Sequence, residues 1–374
     1  MDYDAIVIGG GLAGCSTALQ LARRGHTVAL FEKDSYPRHK LCGEFLSPEV
    51  RASFRRLDLT DQIQAEGATT IRNARLTAAN GTETTHALPE PAVGLSRYAL
   101  DALLYRTACE AGVDGHTGAR VTDVDGSLAG GFRVTADGST VTGRLVLGAY
   151  GRRSTLDRRL DRPFLKEQSP YVAFKAHYAG PAAPALSQTI ELHSAPGGYC
   201  GLSPVETNRI NVCWIGRVEA LQSAGGTPHA MLTGHLRQNA ALDARLQRLE
   251  RVSEGFEAVS QVPLMPKERF VNDVCMIGDA AGMIAPLCGD GMGMALQTAD
   301  LVTPLLDRFL REGTAHTLKR DYRAAWTDTF GQRMRLGRWA HAAAFRPRAA
   351  KTLIRACHWM PPLARWLIRS TRGL

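Results

Sequence analysis

The chain opens with two apolar runs separated by a helical pattern. Asp4-Ala-Ile-Val-Ile8 is apolar and rich in β-branched residues without alternation, as in a strand buried on both faces. Cys15, Ala18, Leu19 and Ala22 then recur at helical spacing, and Thr27-Val-Ala-Leu-Phe-Glu32 is a second apolar run. Leu100, Leu103, Leu104 and Ala108 share one helical face. Val274-Cys-Met-Ile277 reads as another buried strand, followed by the helix Met294-Ala-Leu-Gln-Thr-Ala-Asp-Leu301. Between them, Tyr171–Tyr178, Gln188–Leu192 and Arg209–Ile215 are β-rich runs set apart by polar turns, with Pro181-Ala-Ala-Pro-Ala185 as a surface loop. Late in the chain, Tyr322, Trp326, Phe330 and Met334 recur every four residues, a stripe suited to packing on an earlier domain. These patterns predict an α/β fold. A discontinuous Rossmann-type domain takes 1–75, 95–165 and 266–310, a β-rich domain takes 166–265, and a helical segment takes 311–374.

Composition narrows the class. At 374 residues the chain has room for two domains, and its 44% apolar content is ordinary for a globular protein. No run approaches the roughly 18 apolar residues of a membrane span. The first strand follows Met1-Asp2-Tyr3 at once, so no signal peptide is expected. The eight cysteines are scattered, none in a CxxC pair, which argues against a zinc site and a disulfide framework. A cytoplasmic location is expected. The net charge of +9 is local: ten Lys/Arg and no acid lie from Thr329 to Leu374, and the rest is near neutral. That distribution does not fit a diffuse nucleic-acid surface, and no nucleic-acid partner is expected. Within the tail, Leu353, Ile354, Cys357, Trp359, Met360, Leu363, Trp366, Leu367 and Ile368 are interleaved with arginines. This composition fits a segment lying on an anionic membrane surface, and equally a terminal helix covering a core.

The candidate chemistry starts at Gly9-Gly10-Gly11-Leu-Ala-Gly14, a GxGxxG between strand and helix with an acid, Glu32, at the end of the next strand. Gly9 permits the tight turn, Gly11 lets a pyrophosphate approach the backbone, and Gly14 lets helix and strand pack. The helix N-terminus offers amides and partial positive charge to phosphates, and Glu32 suits a ribose hydroxyl. Far along the chain, Gly278-Asp279 ends a strand and Gly289-Asp-Gly291-Met292-Gly293 opens a helix. Asp279 suits a ribityl hydroxyl, or serves as a plain helix cap. The helix amides suit the pyrimidine carbonyl of a reduced, anionic flavin.

These two segments, with Gly94-Leu-Ser-Arg97-Tyr-Ala-Leu-Asp101 between them, resemble the flavoprotein superfamily of p-hydroxybenzoate hydroxylase. It includes aromatic monooxygenases, flavin-dependent halogenases and geranylgeranyl reductases. The resemblance spans roughly the first 310 residues and implies FAD as cofactor. It implies FAD contacts at Gly9, Gly11, Gly14, Glu32, Lys33, Arg97, Val121, Asp279, Gly289, Gly291 and Met292. Arg38-His-Lys40-Leu-Cys42-Gly43-Glu44 is similar to the Lys-x-Cys-Gly segment of the geranylgeranyl-reductase branch, which places Cys42 and Gly43 beside the isoalloxazine. Arg38, His39 and Lys40 are expected to lower the thiol pKa, toward the reactive thiolate; a small buried hydrophobe is the plain alternative. Tyr199 falls in a segment similar to that branch's substrate motif, though the motif's tryptophan is missing. Cys42, Gly43 and Tyr199 are therefore the candidate catalytic set. Tyr150 stands where the superfamily carries an aspartate that serves FAD and NAD(P)H, so electrons come from NAD(P)H or from another donor such as a separate reductase. The expected activity is FAD-dependent reduction of a double bond in a hydrophobic small molecule: an isoprenoid, lipid or polyketide. The alternatives are an oxygen-dependent monooxygenase and a non-catalytic flavin-binding protein at the inner membrane surface.

Overall fold

The computed structural model describes residues 1–372; positions 373 and 374 of the tail lie outside the described residues. The unbroken apolar runs form a parallel sheet. Val274–Met276, Ser139–Gly148, Tyr3–Ile8, Val28–Glu32 and Asp114–Thr117 lie side by side in that order, all parallel. A hairpin, Val121–Ser127 with Gly131–Ala136, extends it through antiparallel pairing to Ser139–Gly148. Helices Leu12–Ala22, Arg97–Glu110 and Gly291–Glu312 pack with this sheet, and their apolar residues join its core. The glycine loop carries the contact between the first strand and helix. A Cβ on Gly14 would lie 1.9 Å from the Gly9 carbonyl oxygen, and Gly9 itself has φ of +110°.

The second sheet has nine strands and lies mostly antiparallel. Tyr171–Ala179, Arg209–Arg217, Gly198–Val205 and Thr189–Ala195 are successive neighbours. The strands Thr69–Ala78 and Glu83–Gly94 continue this sheet. The expected domain break at 75 therefore falls inside a strand of the other sheet, which pairs in parallel from Asn73↔Thr189 to Ala78↔Ser194. Its arginines at 72 and 75 interrupt the apolar pattern, so the sequence carries no clear strand signal there. Phe45–Leu46 adds a short edge strand by pairing with Val93 and Gly94, which fixes the Cys42 turn to the sheet.

Directly paired residues point to the same face of a sheet. His177 and Asn211 form one row, Lys175, Cys213 and Gly201 the next, and Ala173, Ile215 and Tyr199 a third. One face thus runs from charged to apolar over a few residues.

The helix Ala315–Ala344 sets Tyr322, Trp326, Phe330 and Met334 into the core of the parallel sheet. Two shorter helices, Pro347–Trp359 and Pro361–Arg372, turn back onto the strands Thr69–Ala78 and Glu83–Gly94 and bury Ile354, Cys357 and Ala364. At their corner Trp359, Met360 and Trp366 remain 77%, 56% and 52% exposed. Among the described residues no helix is long and apolar enough to cross a membrane.

Candidate active site

The first end of the site is built by the glycine loop. Gly11 caps the helix Leu12–Ala22 in an extended conformation, and a Cβ there would meet only the Arg97 guanidinium, at 3.6 Å. Glu32 accepts hydrogen bonds from the Gly10 amide at 2.8 Å, the Asp34 amide at 3.1 Å and Arg38 at 2.9 Å. Arg38 bridges to Asp101 at 3.2 Å. Arg97 makes a bidentate pair with Asp101 at 2.6 and 2.7 Å. Asp279 sits in the turn after Val274–Met276, faced by Lys267, Arg152, Arg97 and Lys40. Burial raises its carboxyl against the pull of those cations. Burial likewise pushes Lys40 and Lys267 down to about 8 and lowers Arg152. Lys267 donates to carbonyl oxygens, of Arg152 at 2.7 Å and Asp279 at 2.9 Å. Several desolvated cations around one carboxylate leave positive charge in excess, which suits an anionic ligand.

The second end is the thiol turn. Cys42 is half-buried, its Sγ 3.5 Å from the Glu44 amide. The expected lowering of its pKa does not occur: burial pushes the thiol up, and Arg97 offsets this only in part. Arg38 has turned away to Glu32 and Asp101, so its charge is spent elsewhere. The turn is gripped from the second sheet. Asn211 Nδ2 donates to the Cys42 carbonyl at 2.9 Å, and Lys175 Nζ donates to the Lys40 carbonyl at 3.2 Å. Glu44, at φ 52° and fully buried, pairs with Lys175 and lies 2.6 Å from His177 Nε2. It also accepts the Arg97 amide at 2.8 Å. Burial would raise the Glu44 carboxyl, but Lys175 and His177 outweigh it and hold it low. The sequence reading missed Lys175, His177 and Asn211. The signal was present: a lysine and a histidine two apart in an apolar strand must share a face.

Other predicted residues are placed as follows. Gly43 is exposed and adjoins the thiol. Gly289 has φ of +64°, Gly291 is open at its Cβ position, and Met292 is buried at the start of Gly291–Glu312. The Lys33 side chain is exposed beside Asp34, and Val121 lies in the core of the parallel sheet, so neither side chain joins the group around Asp279. Tyr150 donates to Asp157 at 3.0 Å, so a carboxylate seven residues on backs the phenol. Tyr199 lies in the apolar row, away from the charged row.

A parallel sheet with a glycine-rich strand–helix loop, beside a second, mostly antiparallel sheet, is the architecture of an FAD-dependent oxidoreductase. The chain belongs to the FAD binding domain family, which matches residues 2–331, and FAD is its cofactor. It is 30% identical to the menaquinone reductase of Mycolicibacterium smegmatis over 324 residues, 81% of this chain and 76% of the relative. It is 27% identical to the geranylgeranyl diphosphate reductase of Rhodobacter capsulatus over 336 residues, 85% and 78% of the two chains. Its fold is similar to that of the flavin-dependent brominase Bmp2, with a TM-score of 0.81 at 20% identity over 99% of this chain and 93% of that one.

Proposed function

We propose that the protein reduces a carbon–carbon double bond in a lipid-soluble small molecule. The parallel sheet is the cofactor domain, and the second sheet, now including 69–94, is the substrate domain. Gly9, Gly11, Gly14, Glu32, Arg97 and Asp279 hold FAD, with the helix opened by Gly291 at the flavin end. One observation carries the reading: the thiol turn and a row of apolar side chains occupy the same face of the roof sheet. Bound FAD supplies hydride chemistry. Cys42, its pKa raised by burial, keeps its proton at neutral pH. It is suited to give that proton to one carbon of the double bond and to regain it from solvent. Asn211 and Lys175 fix the position of the turn that carries the thiol.

The electrons come from NAD(P)H or from a separate reductase, and the test is independent of that choice. Enzyme reduced with dithionite is mixed, without oxygen, with a polyprenyl quinone or with geranylgeranyl diphosphate. Flavin reoxidation with one of them is expected, slowed at least about tenfold in Cys42→Ala. Reoxidation that requires air would identify the hydroxylating chemistry instead.

A lipid-soluble substrate makes the exposed helical corner meaningful. We propose that Trp359, Met360 and Trp366, flanked by Arg355, Arg365 and Arg369, rest on an anionic membrane surface. The protein is expected to float with phosphatidylglycerol vesicles and not with phosphatidylcholine vesicles. Trp359→Glu/Trp366→Glu should abolish flotation while leaving bound flavin unchanged, since both rings are exposed. A wild-type protein that ignores both vesicles ends the idea.

A further inference from the structure

The apolar row continues into a cluster drawn from four parts of the chain. Ala173, Tyr199 and Ile215 come from the roof sheet, Met283 and Leu287 from the segment after Asp279, Phe345 from the tail, and Leu41 from beside the thiol. Asn211, which holds the Cys42 carbonyl, lies four residues before Ile215 on the same strand face, a distance of about 13 Å along a strand. Inside this cluster lies one polar ring. His341, on the helix Ala315–Ala344, is only 2% exposed. Its ring meets Tyr171 edge-on at 4.8 Å, Phe345 at 4.8 Å and Tyr199 at 5.8 Å between centroids. The Arg217 guanidinium lies over Tyr171 and Phe345, at 5.8 and 6.0 Å from their centroids.

The hydrogens in this group can be counted. Among the described residues the Tyr199 hydroxyl has a single hydrogen-bond partner, His341 Nδ1. The hydroxyl hydrogen is then directed to this nitrogen, 3.4 Å away. Burial, with Arg217 adding to it, pushes the imidazole down to about 4, so the ring is neutral and carries a single hydrogen. With Nδ1 accepting, that hydrogen is on Nε2. Among the described residues Nε2 has no hydrogen-bond partner, although it is buried. A donor left unpaired among aromatic rings is costly, and a ligand acceptor removes the cost.

We propose that His341 Nε2, oriented by Tyr199, is the polar handle of the substrate chamber and takes an uncharged acceptor, a carbonyl or ether oxygen, on an otherwise apolar molecule. The location of the chamber rests on the reductase reading above. The substrate then carries such an oxygen, and His341 selects for it. Sequence reasoning had no access to this pairing, because Tyr199 and His341 are 142 residues apart and meet only when the tail helix docks.

The test compares two probes of nearly equal size, 2-acetylnaphthalene and 2-ethylnaphthalene, which differ in one carbonyl oxygen. Binding to the oxidised, FAD-loaded protein is measured by equilibrium dialysis. The wild type is expected to prefer the acetyl compound by about threefold to tenfold, the worth of one neutral hydrogen bond. His341→Phe should bring the preference to near unity while binding the ethyl compound within about twofold of wild type. Tyr199→Phe removes the bond that fixes the tautomer and should also weaken the preference, which keeps the test available if His341→Phe does not fold. No preference in the wild type, or a preference that survives both substitutions, overturns the proposal. The flavin absorbance of the same samples reports on the underlying reading: protein without FAD sinks that reading, whereas protein with FAD and no preference sinks only this inference.

Discussion

Replacing Gly11 with valine is expected to give a folded protein that purifies without FAD. The backbone at Gly11 has φ −83° and ψ −171°, an extended conformation that a β-branched residue adopts readily. The new side chain has room, because its Cβ would touch only the end of the Arg97 side chain at 3.6 Å. In the proposed reading that room is where a pyrophosphate comes close to the backbone at the helix N-terminus. Filling it should weaken FAD binding at least about hundredfold, or about 2.8 kcal/mol. The measurement is flavin absorbance per polypeptide after purification, beside a thermal melt of the apoprotein. Valine at Gly14 should fail differently. There the Cβ collides with the Gly9 carbonyl at 1.9 Å, so helix and strand must separate and the melt itself should fall. Yellow Gly11→Val protein with wild-type flavin content would mean that the phosphates lie elsewhere.

The contrast between these two glycines shows what a sequence makes legible. The loop, its helix and Glu32 lie within one short stretch, and each element has its own local signal: an unbroken apolar run, a glycine at a fixed offset, an acid at a strand end. Asp279 is readable for the same reason, as it closes a buried strand. The tail stripe from Tyr322 to Met334 also follows from spacing alone. Features that depend on distant pairing were not readable. Arg38 was expected to activate Cys42, but its partner Asp101 is 63 residues away and draws the guanidinium aside. The strands Thr69–Ala78 and Glu83–Gly94 look like polar loop until Thr189–Ala195 supplies a ladder for the first of them. Even the charge of the tail divides in space. Arg333 is buried and reaches Gln297 at 2.7 Å, whereas Arg365 and Arg369 face outward.

The grip on the thiol turn yields the second large effect. Lys175→Met is expected to destabilise the protein by about 3–5 kcal/mol, because it leaves the buried Glu44 carboxylate without its main counter-charge. Lys175 is 1% exposed and Glu44 fully buried, so neither water nor salt screens the loss. The double variant Lys175→Met/Glu44→Gln should recover much of that loss, since no buried charge then stands unpaired. Acidity separates this account from a simple packing defect. In the wild type Glu44 is held below its ordinary value of 4.5, so its contribution is full above that value and is lost as the pH falls through the lowered folded value. Without Lys175, burial dominates and the carboxyl pKa rises above the unfolded value. Protonation then favours the folded variant, and the stability gap to wild type should narrow as the pH is lowered from 7 toward 4.5. Urea unfolding of the three proteins across that range measures the gap. A gap that stays constant with pH would show that Lys175 acts through its methylene packing, and that the ion pair is not what ties the roof sheet to the turn bearing Cys42.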